Sequence, residues 1–273
     1  MVKKVYIINP FQFKVVSASV KKTDANDAEL IALFLSKGML PLIRVKDEKY
    51  AELESLANTR DKLVKLKSAL KNKIHNILAA KGIVTKKECL SSDKGLNCVL
   101  KYNVGDVAKI ELKVIVEQIK SLNAGIAKID KQLTDKGKDL DGFKSITSIK
   151  GIGDKSGTVL LSVIGNINDF KDEKKLAAYF GIVPSVSNSN ETRRQGRITK
   201  RGSKLGRTTL VQCTLIAIRY SNYLKAFYEK LKVKKGSGKA IIATAKKLLG
   251  IIYLTLKNRW VFKDFPNFVL QEA

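Results

Sequence analysis

Between Arg193 and Arg207 the chain carries seven cations, Arg193, Arg194, Arg197, Lys200, Arg201, Lys204 and Arg207, in fifteen residues with no acid among them. Guanidinium and ammonium groups at that density meet phosphate oxygens through charge-assisted hydrogen bonds. Just before them, Gly181 to Glu191 is rich in hydroxyls and amides and poor in helix formers, so it reads as a loop. Cations close to a serine hydroxyl stabilise its alkoxide and neutralise a phosphoryl group under attack. Composition does not say which serine, or whether any reacts. On the residues alone, a basic binding loop without chemistry is the preferred reading.

Two further constellations carry chemistry. In Ile146 to Gly157, a Gly151-Ile152-Gly153 turn separates two helical apolar patterns and resembles a helix-hairpin-helix. Its glycines permit a tight turn, and the amides opening the second helix can face a phosphate without side-chain obstruction. Lys150 and Lys155 flank it, which favours DNA-backbone contact over a plain interhelical turn. Near the start, Asp24 and Asp27 lie one helical turn apart and can face one hard cation together. Taken alone, such a pair at a helix start is more often a cap that complements the helix dipole. Catalysis by paired imidazoles is excluded, because His75 is the single histidine. Cys89, Cys98 and Cys213 are odd in number and lack C-x-x-C spacing, so neither a disulfide framework nor a zinc site is expected.

The charge balance agrees with a phosphate-rich partner. Against 25 acids stand 52 Lys and Arg, a net +27. Solubility calls for only about 2 to 8 net charges on a small domain, so the excess points to a polyanion, by default nucleic acid. A hydrophobic share of 44% supports a folded core, and 273 residues suffice for two compact units or one with a long helical insertion. The N-terminus breaks at Asn9-Pro10, and no apolar run nears the roughly 18 residues of a membrane span. We therefore expect no signal peptide, no membrane partner, and a cytoplasmic, nucleoid-associated protein.

Several elements must position these groups. Val5 to Ile8 reads as a short buried strand ended by Asn9-Pro10. A helix follows, capped by Thr23 or Asp24 and ended by Gly38. From about Lys46 to Ala80, Leu56, Leu63, Leu70 and Ile77 recur every seven residues, the pattern of a coiled-coil-like helix. Arg60 and Lys67 fall on its core positions, so the seam is imperfect or bends towards a phosphate backbone. Gly82 to Gly105 reads as a loop. A second helix, from Leu112 through Leu133, keeps three-four spacing, which predicts an antiparallel hairpin with the first or pairing between two chains. Periodicity does not separate a dimerisation or spacer arm from an ordinary helical core. The rest, from near Asp141, is helical and closes with an amphipathic helix through Leu256.

The runs Ser148-Ile149-Lys150-Gly151-Ile152-Gly153, Leu176 to Pro184 and Gly196 to Arg207 are similar, in order and spacing, to the C-terminal transposase domain of the insertion-sequence-110 recombinases. The resemblance implies a mainly α protein: a truncated RuvC-like (ribonuclease-H-like) α/β remnant over residues 1–45, a coiled-coil helical arm over 46–140, and a helical C-terminal transposase domain over 141–273 with the helix-hairpin-helix-like motif. It implies DNA strand cleavage and rejoining, with Ser189 as nucleophile, although Asn190 stands where the family usually has glycine. Asp24 and Asp27 match the last acidic element of a metal site for divalent ions, usually taken as magnesium. The family's first two acids would precede Met1, and residues 1 to 23 supply none. A structured non-coding bridge RNA is the implied second partner, and a homodimer or homotetramer the implied assembly. Two alternatives stay open: a non-catalytic DNA- or RNA-binding protein, and a site-specific DNA invertase.

Overall fold

The computed structural model describes residues 5–10, 13–14, 23–189, 192–262 and 270–272. Its internal contacts divide the chain into Met1–Asp47 and Glu48–Ala273.

In the first unit, α1 (Asp24–Ser36) begins where the Thr23 hydroxyl accepts the Asn26 N–H at 3.3 Å. It ends at Gly38, whose N–H reaches the Leu35 carbonyl at 3.0 Å while that of Met39 reaches Phe34 at 2.9 Å, a Schellman stop. Both ends agree with the sequence. The strand predicted over Val5 to Ile8 does not form as a buried element: Val5 is 76% and Ile7 50% exposed. Among the described residues one isolated antiparallel bridge, Ile8 to Leu42, is present there. Two short extended segments bury too little surface to make a stable sheet alone. Phe13 is buried and packs edge-on against Phe34, with ring centroids 5.0 Å apart.

The second unit opens with α2 (Glu48–Ala79), which pairs antiparallel with α4 (Asp106–Gly137) as a long hairpin arm. The heptad leucines and isoleucines do not form one continuous seam. At the base, Tyr50, Leu53 and Ala57 of α2 and Leu133 of α4 are buried in the main core. At the far end, Ile74, Ile77 and Leu78 meet Leu112, Ile115, Val116 and Ile119 in a second core. Between the two, buried Ile126 is flanked by polar contacts: Arg60 pairs with Asp130, and Lys67 donates to the Asn123 amide oxygen at 3.1 Å. The two cations on the seam are thus answered from α4.

The stretch from Gly82 to Gly105, expected as a loop, contains a 3-10 turn (Lys87–Ser91) and a short helix α3 (Asp93–Val99). Ser92 caps α3 by accepting the Gly95 N–H at 3.2 Å. Leu90, Leu96, Val99 and Val104 fold onto the arm's distal apolar face. Their burial overrides a composition of turn formers.

The remaining elements are α5 (Phe143–Thr147), α6 (Asp154–Ile164), a 3-10 turn (Ile167–Asp169), α7 (Glu173–Tyr179), β1 (Pro184–Ser189), β2 (Thr192–Ile198), α8 (Lys204–Tyr220), α9 (Asn222–Lys235), α10 (Ser237–Lys257), β3 (Trp260–Phe262) and β4 (Leu270–Glu272). Helix α6 is buried at every position from Gly157 to Ile164, so it is the central strut against which α8 and the base of the arm pack. Leu210 and Ala217 of α8 and Leu248, Leu249 and Ile252 of α10 complete this core. The molecule is mainly α, as the sequence indicates, and no helix among the described residues is long and apolar enough to cross a membrane.

Candidate nucleic-acid interface

The segment expected as a loop before the cations is half of a β-hairpin. Strands β1 and β2 pair antiparallel, with Val186 opposite Gln195, Ser187 opposite Arg194, Asn188 opposite Arg193 and Ser189 opposite Thr192. Ser189 is the last residue of β1, at the hairpin's tip; Asn190 and Glu191 lie outside the described residues, as does Lys22. The pairing satisfies backbone groups, and it needs no alternating apolar face. Val186 is 59% exposed, so the burial period that reveals most strands is missing here. Near the stem, the Ser185 hydroxyl donates to the Arg197 carbonyl at 3.2 Å.

The hairpin's stem is tied down by backbone hydrogen bonds. The Thr199 N–H reaches the Val183 carbonyl at 2.9 Å and the Lys200 N–H reaches Gly181 at 3.0 Å. Lys200 itself sits in the left-handed region, at φ +54°. Gly202 follows at φ +126°, and a Cβ there would stand 2.0 Å from the Tyr179 carbonyl oxygen, so no other residue fits the turn. Ser203 then caps α8, accepting the Gly206 N–H at 3.1 Å. Arg197, Lys200, Arg201 and Lys204 are exposed around this rigid turn. The first turn of α8 carries no acid, so the positive end of its dipole adds to their field. Arg207 differs: half-buried, it donates through Nη1 to the Phe180 carbonyl at 3.0 Å. Arg193 and Arg194 lie on β2, paired through their backbones with Asn188 and Ser187.

The Gly151–Gly153 turn joins α5 to α6. Gly151 has φ +105°, and a Cβ on it would come within 2.7 Å of the Ala217 backbone nitrogen; the turn therefore lies directly on α8. Gly153 is the N-cap of α6, makes no side-chain cap bond and has open space around it, and Lys150 is exposed. Lys155 points elsewhere: its ammonium donates to Asp130 at 3.1 Å. Asp130 thus receives both Arg60 from α2 and Lys155 from α6. Burial alone would raise its pKa, but the hydrogen bonds from Arg60 and Lys155 together with their charge hold it below the ordinary carboxylate range. Sequence reasoning missed Asp130; an acid on a helical seam gives no sign of partners 70 and 25 residues away.

In the first unit Asp24 is exposed and Asp27 half-buried, both in the first turn of α1. Oδ1 of Asp27 is out of solvent without a hydrogen-bond partner among the described residues. Such an orphaned carboxylate oxygen is costly unless a cation or donor answers it, and carboxylate oxygens suit a hard divalent ion. Among the described residues no group of three or more His, Cys, Asp and Glu side chains gathers.

Known proteins bear on this geometry in two ways. A family model described as "Transposase IS116/IS110/IS902 family" matches residues 144–229, and a DEDD-type model described as "Transposase" matches residues 2–82, between them more than half of the chain. Among individual proteins, the chain is 25% identical over 253 residues to the transposase for insertion sequence element IS1111A of Coxiella burnetii, covering 89% of this chain and 68% of that one. It is 25% identical over 206 residues to a family 20 transposase of Pseudomonas aeruginosa, covering 72% of this chain but only 60% of that one's length. A pilin gene-inverting protein of Moraxella lacunata is 28% identical over 273 residues, 95% of this chain and 74% of the relative. The C-terminal match spans the Gly151–Gly153 turn, the β-hairpin and the basic turn, and the N-terminal match spans Asp24 and Asp27: the chain belongs to the IS116/IS110/IS902 family of transposases.

Proposed function

We propose that this chain is the transposase of an insertion sequence, binding DNA and cutting and rejoining its strands through Ser189. The observation that carries the reading is the β-hairpin with Ser189 at its tip, mounted on a rigid turn from which Arg197, Lys200, Arg201 and Lys204 emerge. In this reading the four cations, with Arg193 and Arg194, hold the phosphates on either side of the scissile bond and neutralise charge as it builds on phosphorus. The Ser189 oxygen attacks the phosphorus, forming a serine–phosphate ester. The displaced sugar oxygen leaves and takes a proton, and the reverse reaction with a different strand end rejoins the DNA. Lys150 and the open amide end of α6 beyond Gly151 and Gly153 contact the DNA backbone at a second point. Lys155 and Arg207 serve the same surface from behind, by fixing α6 and α8.

Asp24 and Asp27 would hold a divalent ion, Mg2+ by family resemblance, which when bound supplies Lewis-acid stabilisation of phosphoryl oxygens. A structured bridge RNA is the proposed guide, and a homodimer or homotetramer the proposed assembly, since recombination holds more than one DNA end at once. The similarity to a pilin gene-inverting protein over 95% of the chain favours site-specific inversion as a second outcome of the same chemistry. A non-catalytic DNA- or RNA-binding role is the other alternative.

Incubating the purified chain with element-end DNA, the cognate RNA and Mg2+ tests the proposal. A covalent protein–DNA adduct is expected from the native chain and none from Ser189→Ala. Equal adduct from both would remove Ser189 from the role, and no adduct from either would favour the binding-protein alternative.

A further inference from the structure

Helices α9 and α10 lie outside the surface described so far, yet between Asn222 and Lys247 they carry eight lysines against one acid, Glu229. Three of these, Lys232, Lys234 and Lys235, complement the C-terminal dipole of α9. The others have no such reason: Lys239, in the first turn of α10, stands at the end of a dipole that repels it. Within this cluster runs a groove of about 380 Å³ walled by Tyr223 and Phe227 of α9 and by Ala243, Lys247 and Leu254 of α10. The Lys247 ammonium sits 4.6 Å from the Tyr223 ring centroid and 4.4 Å from that of Phe227. The head of one flexible side chain thus lies over both aromatic rings.

We propose that this groove binds an unpaired nucleotide strand, with a base stacked on Tyr223 and Phe227 and the neighbouring phosphates on Lys246, Lys247 and Lys239. Lys247 swings off the rings to meet a phosphate and hands their faces to the base; base–aromatic stacking beside a basic track is the physics of single-strand recognition. Duplex DNA does not fit, because its base faces are stacked within the helix. An acidic peptide is disfavoured by Glu173, whose carboxylate lies over Gly250 and lines the groove. The same carboxylate accepts a hydrogen bond from an exocyclic amine, so adenine or cytosine is preferred to thymine or uracil.

The test measures binding of the full chain to fluorescent 12-mers of oligo(dA), oligo(rA) and oligo(dT) and to an abasic 12-mer, by anisotropy. For Tyr223→Leu/Phe227→Leu we expect at least a fivefold loss on oligo(dA) with no change on the abasic strand, and Tyr223→Phe retains affinity. A parallel loss on oligo(rA) means both sugars are accepted, and loss on one alone identifies the strand taken. Glu173→Gln should narrow the preference for oligo(dA) over oligo(dT). Equal losses on base-bearing and abasic strands, or none on either, overturn the proposal, as does displacement by polyglutamate at equal charge. A 2-aminopurine in the strand reports stacking on the native chain even if the leucine variant fails to fold; absence of quenching on binding also overturns it. None of these readouts involves Ser189 or the adduct, so this site and the recombination chemistry succeed or fail separately.

Discussion

Lys200 holds its charge on a backbone that few residues other than glycine adopt, and the strain, about 1 kcal/mol, persists because its N–H is tied to Gly181. Asparagine tolerates that region, so Lys200→Asn should keep stability within about 0.5 kcal/mol by thermal melting. The same variant should weaken duplex DNA binding and reduce the slope of log K against log salt by about one phosphate's worth. Asp130 makes a different prediction. Its pKa is lowered in the folded chain, so its contribution to stability is present at neutral pH, above the unfolded value, and fades as pH falls through the lower folded value. Asp130→Asn should therefore cost about 1 kcal/mol at pH 7, and the gap to the native chain should close in strong acid; a gap independent of pH would remove the ion pairs as its cause. Cys213, whose thiol burial pushes to about 11, should resist thiol reagents at pH 8, while exposed Cys89 and Cys98 react. Much at this scale was legible in sequence: the Thr23 cap, the stop at Gly38 and the exposed cations Arg197, Lys200, Arg201 and Lys204. The roles of Arg207 and Lys155 were not, because a cation's partner across the fold leaves no local trace.

The arm shows what periodicity conveys and what it omits. Heptad spacing located both helices, since a helix depends on local repeats, but left open whether they pair within the chain or between two chains; they pair antiparallel within the chain. It did not reveal that Arg60 and Lys67 would be answered by Asp130 and Asn123, nor that the ends would hold separate cores. Polar layers on a helical seam generally cost stability relative to apolar ones. Lys67→Leu combined with Asn123→Leu should therefore raise the melting temperature, and a fall would show that the pair is strongly net stabilising. The β-hairpin was misread as a loop for a related reason: its residues are polar on either side, so only backbone pairing distinguishes it. The distal turn Gly82–Gly105 was misread in the opposite direction, its turn formers outweighing four apolar residues that find a core only when the arm is folded.

At the scale of the whole chain, composition identified the class of partner, and the mainly helical architecture followed from apolar spacing. Composition did not indicate that the base of the arm would be built into the same core as α6, α8 and α10. Each α2 and α4 helix has 32 residues, about 48 Å at 1.5 Å per residue. At 3.4 Å per base pair, that is the length of about fourteen base pairs of duplex. The arm is consequently a ruler: its distal core is held at a fixed distance from the base that is built into the main core. Shortening both helices by one matched heptad would draw the distal core in by about 10 Å, the length of about three base pairs.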